Sequence, residues 1–471
     1  MKKHSLVKVV LVTLFLVMVA TWGLSVTNVV NGEFVTQSAN KIGIFKLSSF
    51  ILVAVQYFFN IALYVLAIGG FYGVLHKIPQ YRLLLDKIVH GFKRREWLFM
   101  IIVGIVFAAL SSMAGFSVPL LILFPFVISI VLLMGYDKVT AAMLTIGSTI
   151  AGIIGTVFSE GDVYGVATVF QQLGSVGPKD NVLWKLLFLG VSLAIVLVNT
   201  IIHARKHKNT EEIKEDYLIP KEVKTENKKV FPLVIVFDII IVLFVLAFIS
   251  WDVLEIDIFK NITNTFVNPV GNGFTKGMFN VFNTVLGITE TMSFGNWTLT
   301  EVTVVLFFAS GLLALMYRKS LNSFLNDFGN GAKKALQPAL LIILAYTILV
   351  CVTNVPFMMT ILKPILDLEG EANIIVMCFV AIVYSILTVE PYYGITSAAS
   401  YVLTVTTASK LTMVSLAWQS MYGISMLFAP TSVIMLSGLS YLGISYGKWL
   451  KSIWQMILEL IVVIALLLLL V

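Results

Sequence analysis

The sequence predicts an all-α polytopic membrane protein of two inverted repeats, each with a re-entrant hairpin and a broken helix. Three observations carry this reading: a composition of 59% hydrophobic and only 12% charged residues, long apolar runs spread along the chain, and a matched succession of breaks in its two halves. A soluble domain carries about a quarter charged residues, so most of this chain has to face lipid or other helices. The stretches Leu6–Val26, Ser49–Leu75, Leu183–Ala204, Phe231–Ile249 and Ile453–Val471 each approach or exceed the roughly 20 apolar residues that cross a hydrocarbon core. Backbone groups cannot stay unpaired in lipid, which leaves helices or a closed barrel. Continuous apolar runs without strict alternation exclude the barrel.

The start, Met1-Lys2-Lys3-His4 before an apolar run, is shaped like a secretory signal. The run is long and no small-x-small cleavage site follows before Asn28, so a retained first helix is expected. Cys351 and Cys378, the two cysteines, both lie in apolar stretches and are expected as small core residues. They form no metal or redox pattern.

A formal net charge of +7 would suit nucleic acid if it were clustered on one surface, but it is segmented instead. Basic residues gather in Lys77–Arg95, Arg205–Lys229 and Arg318–Lys334, whereas Asp252–Thr298 holds Lys260 and Lys276 against Asp252, Glu255, Asp257 and Glu290. That alternation is the positive-inside pattern, with no nucleic-acid partner implied. It predicts a cytoplasmic N-terminus, the three basic segments inside, and Thr27–Lys46 and Asp252–Thr298 outside, in a bacterial inner membrane.

One linker stands out. Arg205–Lys229 mixes Lys206, Lys208 and Lys214 with Glu211, Glu212 and Glu215, contains Pro220, and lacks apolar periodicity. It is expected to stay solvated and to divide the chain into a transmembrane half at 1–204, a cytoplasmic linker at 205–230 and a second half at 231–471.

Aligning Pro119 with Pro391 also superposes Lys138 on Lys410, Thr140 on Thr412, Leu144 on Leu416 and Ser148 on Ser420. Around these pairs the layout repeats: an apolar run, a break rich in small or polar residues, a proline, a second apolar run, a short charged turn, and a helix interrupted by Gly, Ser, Thr or Pro. The repeat cores are 97–158 and 372–430. The first begins beside Lys93-Arg94-Arg95, inside; the second begins beside Asp367, Glu369 and Glu371, outside. The copies are therefore expected to be inverted, a recurring plan of secondary transporters.

The breaks are where chemistry is possible. In the first copy, Ser111-Ser112-Met113-Ala114-Gly115-Phe116-Ser117 separates two apolar runs and suits a hairpin tip; its counterpart is Ser385-Ile386-Leu387-Thr388-Val389-Glu390-Pro391. The interrupted helices carry Gly147, Ser148, Thr149, Gly152 and Gly155 in one copy and Gln419, Ser420, Gly423, Pro430, Thr431 and Ser432 in the other. A helix broken inside a bilayer exposes unpaired N–H groups and a partial positive charge at its new N-terminus. Such backbone persists only where protein or a water-filled cavity satisfies it. N–H groups and hydroxyls there can hold a carboxylate, and freed carbonyls a cation. The competing reading is that small and hydroxyl residues pack helices together.

Substrate-binding candidates are Ser111, Ser112, Ser148, Thr149, Thr388, Gln419, Ser420, Thr431 and Ser432. Glu390, an acid beside a proline in an apolar region, is expensive in a membrane. It suits a coupling proton or cation, or a substrate amine, unless it sits at a wet loop. Asp238, inside Phe231–Ile249, is expected to pair with a neighbouring lysine or hydroxyl. Enzyme signatures are absent: the five histidines fall in or beside the regions predicted inside, and no phosphate-binding glycine loop is present. No Ser/His/Asp set shares one depth, and no cofactor motif occurs. A channel would need a continuous polar path, and the sequence has isolated breaks.

At these same segments the chain resembles the YfcC-like and anaerobic C4-dicarboxylate carrier (DcuC-like) group of the ion transporter superfamily. The resemblance rests on Pro119–Ser159 with Gly135-Tyr136-Asp137-Lys138 and Gly147-Ser148-Thr149, and on Trp418-Gln419-Ser420 through Phe428-Ala429-Pro430-Thr431-Ser432. It extends to Gly438-Leu439-Ser440-Tyr441-Leu442-Gly443-Ile444, Tyr446-Gly447-Lys448-Trp449-Leu450 and Gly69-Gly70-Phe71-Tyr72-Gly73. The resemblance implies two inverted repeats with hairpins and broken helices, usually in a homodimer. It also implies a secondary carrier of dicarboxylates, other organic anions or amino acids, with Na⁺ or H⁺ coupling or exchange. Relatives often carry acids at the first hairpin tip, where this chain has Gly115-Phe116-Ser117.

Overall fold

Eight helices among the described residues are long and apolar enough to cross a membrane. The computed structural model describes residues 5–30, 33–113, 117–157, 180–208, 217–222, 229–249, 251, 254–267, 293–367, 373–390, 393–396, 398, 402 and 406–471. Helix α1 (Ser5–Gly23) leads into β1 (Ser25–Val30), paired antiparallel with β2 (Glu33–Ser38), and then into α2 (Ile44–Leu75). Next come α3 (Pro79–Gly91), α4 (Glu96–Met113), a 3-10 turn (Pro119–Ile122) and α5 (Phe124–Leu133). Helix α6 (Lys138–Ile154) contains a π-helical turn at Met143–Gly147, and α7 (Val182–Lys206) follows. The second half runs α8 (Phe231–Phe248), α9 (Ile258–Val267), α10 (Leu299–Met316), α11 (Leu321–Lys334), α12 (Leu336–Asn354) and α13 (Met358–Asp367). It ends with α14 (Ile374–Leu387), α15 (Leu411–Ser425), α16 (Val433–Leu442) and α17 (Tyr446–Leu468). The eight membrane-length helices are α1, α2, α4, α7, α8, α10, α12 and α17.

Two matched helix sets emerge from the contacts. In the first half α4 packs on α6 and α7; in the second α14 packs on α15 and α17. The sets meet where α6 touches α15 and α7 touches α17. Helix α12 is the most deeply buried membrane-length helix, enclosed by α1, α2 and α16. Cys351 on α12 and Cys378 on α14 are both buried, as small core residues are.

The turns explain several residues that carry the family resemblance. Gly135 (φ 85°) and Gly443 (φ 67°) occupy the left-handed backbone region, where an L side chain is strained. Each ends a helix just before a capping residue starts the next one. Asp137 caps α6 by accepting from the Thr140 N–H at 2.9 Å, and Ser445 caps α17 by accepting from the Lys448 N–H at 3.3 Å.

Four findings depart from the sequence reading. The segment after α1 forms a β-hairpin, docked on α13 through Thr360, whose hydroxyl donates to the Ser25 carbonyl at 2.8 Å. The signal was present: two Val- and Thr-rich runs flank Asn31-Gly32, a strand–turn–strand pattern. The third basic segment is largely helical, α11, capped by Ser320 and braced by a Lys319–Asp327 pair at 2.6 Å. Within the linker, Leu218 is wholly buried, so that stretch does not stay solvated. Asp238 is exposed on α8 and has no partner among the described residues, against the expected pair. Gly115, Phe116 and Pro391 of the expected hairpin tips, and most of Asp252–Thr298, lie outside the described residues.

Helix α11 lies against α2 at the Gly69-Gly70-Phe71-Tyr72-Gly73 stretch, and glycine permits the approach. A Cβ on Gly331 would lie 2.1 Å from the Gly69 carbonyl oxygen, whereas one on Gly329 would meet nothing within 4 Å. Gly331→Ala is expected to lower the melting temperature of the solubilised protein. Gly329→Ala should leave it unchanged or raise it, since alanine favours a helix by up to about 1 kcal/mol over glycine. Paired thermal melts check this; equal effects would show that the two helices are not in close contact.

Candidate functional site

Helix α6 stops at Ile154, within an apolar bundle, and its last carbonyls need partners. The Thr156 hydroxyl donates back to the Ile153 carbonyl at 2.8 Å, and the carbonyls just beyond the helix find partners on other elements. The Ser112 hydroxyl, at the end of α4, donates to the Gly155 carbonyl at 2.7 Å, and the Val157 N–H donates to the Ser112 carbonyl at 2.9 Å. The Gln419 side-chain amide, from α15, donates to the Thr156 carbonyl at 2.9 Å. The end of one broken helix is thus capped by its own hairpin and by the other broken helix.

The second break is handled in a parallel way. Helix α15 ends at Ser425, and the chain turns before α16. The Tyr422 hydroxyl donates to the Val389 carbonyl at 2.8 Å, and the Thr431 hydroxyl to the Ile386 carbonyl at 2.8 Å, fastening the turn to the hairpin tip after α14. From α17, the Trp449 indole donates to the Leu427 carbonyl at 2.8 Å, and the Tyr446 hydroxyl donates to the Phe428 carbonyl. Ser432 caps α16 by accepting from the Met435 N–H at 3.3 Å.

The two broken helices pass each other antiparallel. Gln419 reaches Thr156, while four residues further on Gly423 lies against the backbone of Ile154, where a Cβ would come within 2.8 Å of the Ile154 nitrogen. Both helix ends therefore arrive at one level from opposite directions.

Glu390 stands beside this junction, half-buried, and accepts a hydrogen bond from the Tyr346 hydroxyl of α12. Tyr346 is itself wholly buried and stacked on Phe58 of α2, with ring centroids 4.0 Å apart. The second arm of the first hairpin is likewise held from α2, where the Tyr64 and Tyr72 hydroxyls donate to the Pro119 and Ile122 carbonyls at 2.6 and 2.7 Å.

Of the ten sequence candidates, the structure brings Ser112, Gln419, Thr431, Thr388 and Glu390 to the end of α4, the residues just after α14 and the ends of the two broken helices. Thr149, Ser420 and Thr388 donate to carbonyls of their own helices, Thr145, Leu416 and Tyr384. Ser111 and Ser148 face the α4–α6 seam: a Cβ on Gly152 would lie 2.5 Å from that of Ser111, and one on Gly104 would lie 3.2 Å from the Ser148 hydroxyl. Both of these serine hydroxyls are buried and have no partner among the described residues.

The sequence reading missed a cavity of about 640 Å³ bounded by α2, the 3-10 turn, α5, α11, α16 and linker residues Tyr217 and Lys221. None of the ten candidates lines it. All three basic segments contribute to its wall, through residues such as Lys77, Lys221 and Lys333. Among the described residues there is no group of three or more metal-ligating side chains.

Helix breaks capped by side chains inside a bundle of membrane-length helices define a polytopic membrane protein. The family of C4-dicarboxylate anaerobic carriers (DcuC) matches residues 28–471, and the chain belongs to that family. Among solved structures, the Alcanivorax borkumensis YdaH transporter is similar at 10% identity with a TM-score of 0.44, covering 99% of this chain and 97% of that one. No curated protein matches the chain.

Two outcomes follow from this geometry. Gly423→Val should wedge α6 and α15 apart at Ile154 and abolish transport while the protein still reaches the membrane, as read by uptake and immunodetection. Wild-type uptake would show that the crossing tolerates separation. Asp137 is a second test, of the start of α6. Burial pushes its carboxyl up, but hydrogen bonds from His203 (3.3 Å) and Thr140 outweigh it and hold the carboxyl down at about 2. Its stabilisation is therefore complete above the ordinary carboxylate range and is lost as pH falls toward about 2. Asp137→Ala should cost about 1 kcal/mol through the lost cap, visible as a lower melting temperature at neutral pH. The difference from wild type should shrink in acid.

Proposed function

We propose that the protein is an alternating-access secondary carrier of C4-dicarboxylates, built on two inverted repeats with cores at 97–158 and 372–430 and joined by the linker at 205–230. The observation that carries this reading is the antiparallel meeting of α6 and α15, each with its end fastened to a hairpin of its own half. In such an arrangement a tilt of one repeat against the other moves the same junction from one face to the other. The ten candidates serve this centre: Ser111, Ser112, Ser148, Thr149, Thr388, Gln419, Ser420, Thr431 and Ser432 contact substrate or hold the backbone that does. Glu390, through Tyr346, links hairpin movement to the enclosing helices and to a coupling Na⁺ or H⁺.

The DcuC family favours a dicarboxylate, and the lysine-rich cavity wall agrees with it. An amino acid is the second reading, favoured by Glu390 as a partner for a substrate amine. The positive-inside distribution of the three basic segments supports a cytoplasmic face for the cavity and a cytoplasmic N-terminus, in a bacterial inner membrane. A homodimer is the assembly expected from the resemblance.

Uptake into proteoliposomes tests the function. Labelled succinate should enter saturably under a Na⁺ or H⁺ gradient, or against internal succinate, and arginine should not compete. Uptake of arginine without succinate would replace the dicarboxylate with an amino acid. Uptake of neither, from protein with a normal melt, would refute the carrier.

A further inference from the structure

Linker residues 217–222 form a strap held through its backbone by side chains from both halves of the chain. From the first half, Ser129 of α5 donates to the Leu218 carbonyl at 2.6 Å. Arg82 of α3, itself paired with Asp86, donates to the Pro220 carbonyl at 2.9 Å. From the second half, Tyr441 of α16 donates to the Tyr217 carbonyl at 2.9 Å. Helix α5 leads into the first broken helix, and α16 continues the second.

The second half reaches Tyr217 through its ring as well. That ring meets the Tyr441 ring edge to face, with centroids 5.8 Å apart, and its centre lies 5.3 Å from the Lys334 ammonium of α11. Tyr217 is half-buried, whereas Leu218 is wholly buried.

The spacing of these grips limits what the halves can do. Consecutive Cα atoms lie about 3.8 Å apart, so the carbonyls of Tyr217 and Leu218 stay within a few ångströms of each other. Their two donors come from different halves. If a tilt of the repeats carries α16 away from α5 by more than that, the strap cannot follow both, and one grip has to open. Opening at Leu218 would pull a wholly buried side chain from its pocket and leave a buried carbonyl without its donor, which is costly. Opening at Tyr217 frees a half-buried residue whose carbonyl can turn to water. The weaker grip is therefore the one from the second half.

We infer that the strap is a lock on the basic side of the molecule. It rides with α3 and α5, and the Tyr441–Tyr217 contact closes and opens as the two halves approach and separate. The motion it locks is the alternating-access tilt proposed above.

The test uses full-length protein carrying Tyr217→Cys and Tyr441→Cys, joined by a short bis-methanethiosulfonate that a reductant cleaves. Cys351 and Cys378 are buried, and mass spectrometry confirms the link. In proteoliposomes the link should arrest succinate uptake, and reductant should restore it. The same chemistry between Arg82→Cys and Lys221→Cys ties the strap to the helix it rides on and should leave uptake running. Normal uptake through the first link, or arrest by both, would overturn the lock. A second reading needs no transport. Spin labels at Lys87→Cys on α3 and Lys451→Cys on α17, both exposed, should show a shorter and a longer separation in nanodiscs. Tyr441→Phe should raise the ratio of longer to shorter about fivefold, the weight of one neutral hydrogen bond. Distances unchanged by Tyr441→Phe while uptake continues would overturn the lock and spare the carrier. The fivefold shift in protein that takes up nothing would uphold the lock and refute the carrier.

Discussion

A backbone group released by a helix break inside a membrane must be satisfied by protein or by enclosed water, and this structure depends on how that demand is met. Water on the surface of a soluble protein would serve any freed carbonyl. Here Gly155 and Thr156 are served by Ser112 and Gln419, and Leu427 and Phe428 by Trp449 and Tyr446. Each cap comes from a helix other than the broken one, from α4, α15 or α17, so the breaks decide which helices have to be neighbours. The hairpin tip sits beside the broken helix for the same reason: Tyr422 and Thr431 hold the carbonyls of Val389 and Ile386.

Much of this was legible in the sequence, and the reason is composition. Spans of lipid-facing residues declare themselves by length alone. The breaks declare themselves because Ser, Thr, Gly and Pro are conspicuous in an apolar run, as around Ser112, Thr388 and Thr431. The aromatic partners were not legible. Tyr346, Tyr422 and Trp449 look like any large core residue in sequence, and only their hydroxyl or indole positions show what they hold.

Other features were hidden by distance along the chain. The cavity takes its wall from segments as far apart as Val65 and Tyr441, and no local pattern announces such a convergence. Helix α11 shows in the sequence only as a basic segment, and nothing local announces that Gly331 is what lets it lie on α2. The linker misled for a related reason. Its charge and lack of periodicity describe most of its length, while a single short stretch around Leu218 carries the packing.

The linker stretch Tyr217–Pro220, fastened as a strap by Tyr441, Ser129 and Arg82, bears on how the molecule is completed. Tyr217 is held by Tyr441, 224 positions later in the chain, while its neighbour Leu218 is held by Ser129 from the first half. A growing polypeptide inserts its first half before residue 441 exists, so through that interval the Tyr217 carbonyl lacks its Tyr441 donor. The strap can seat fully only after α16 is in place. The Tyr217–Tyr441 bond is thus among the last to close, and it joins the linker to the finished second half.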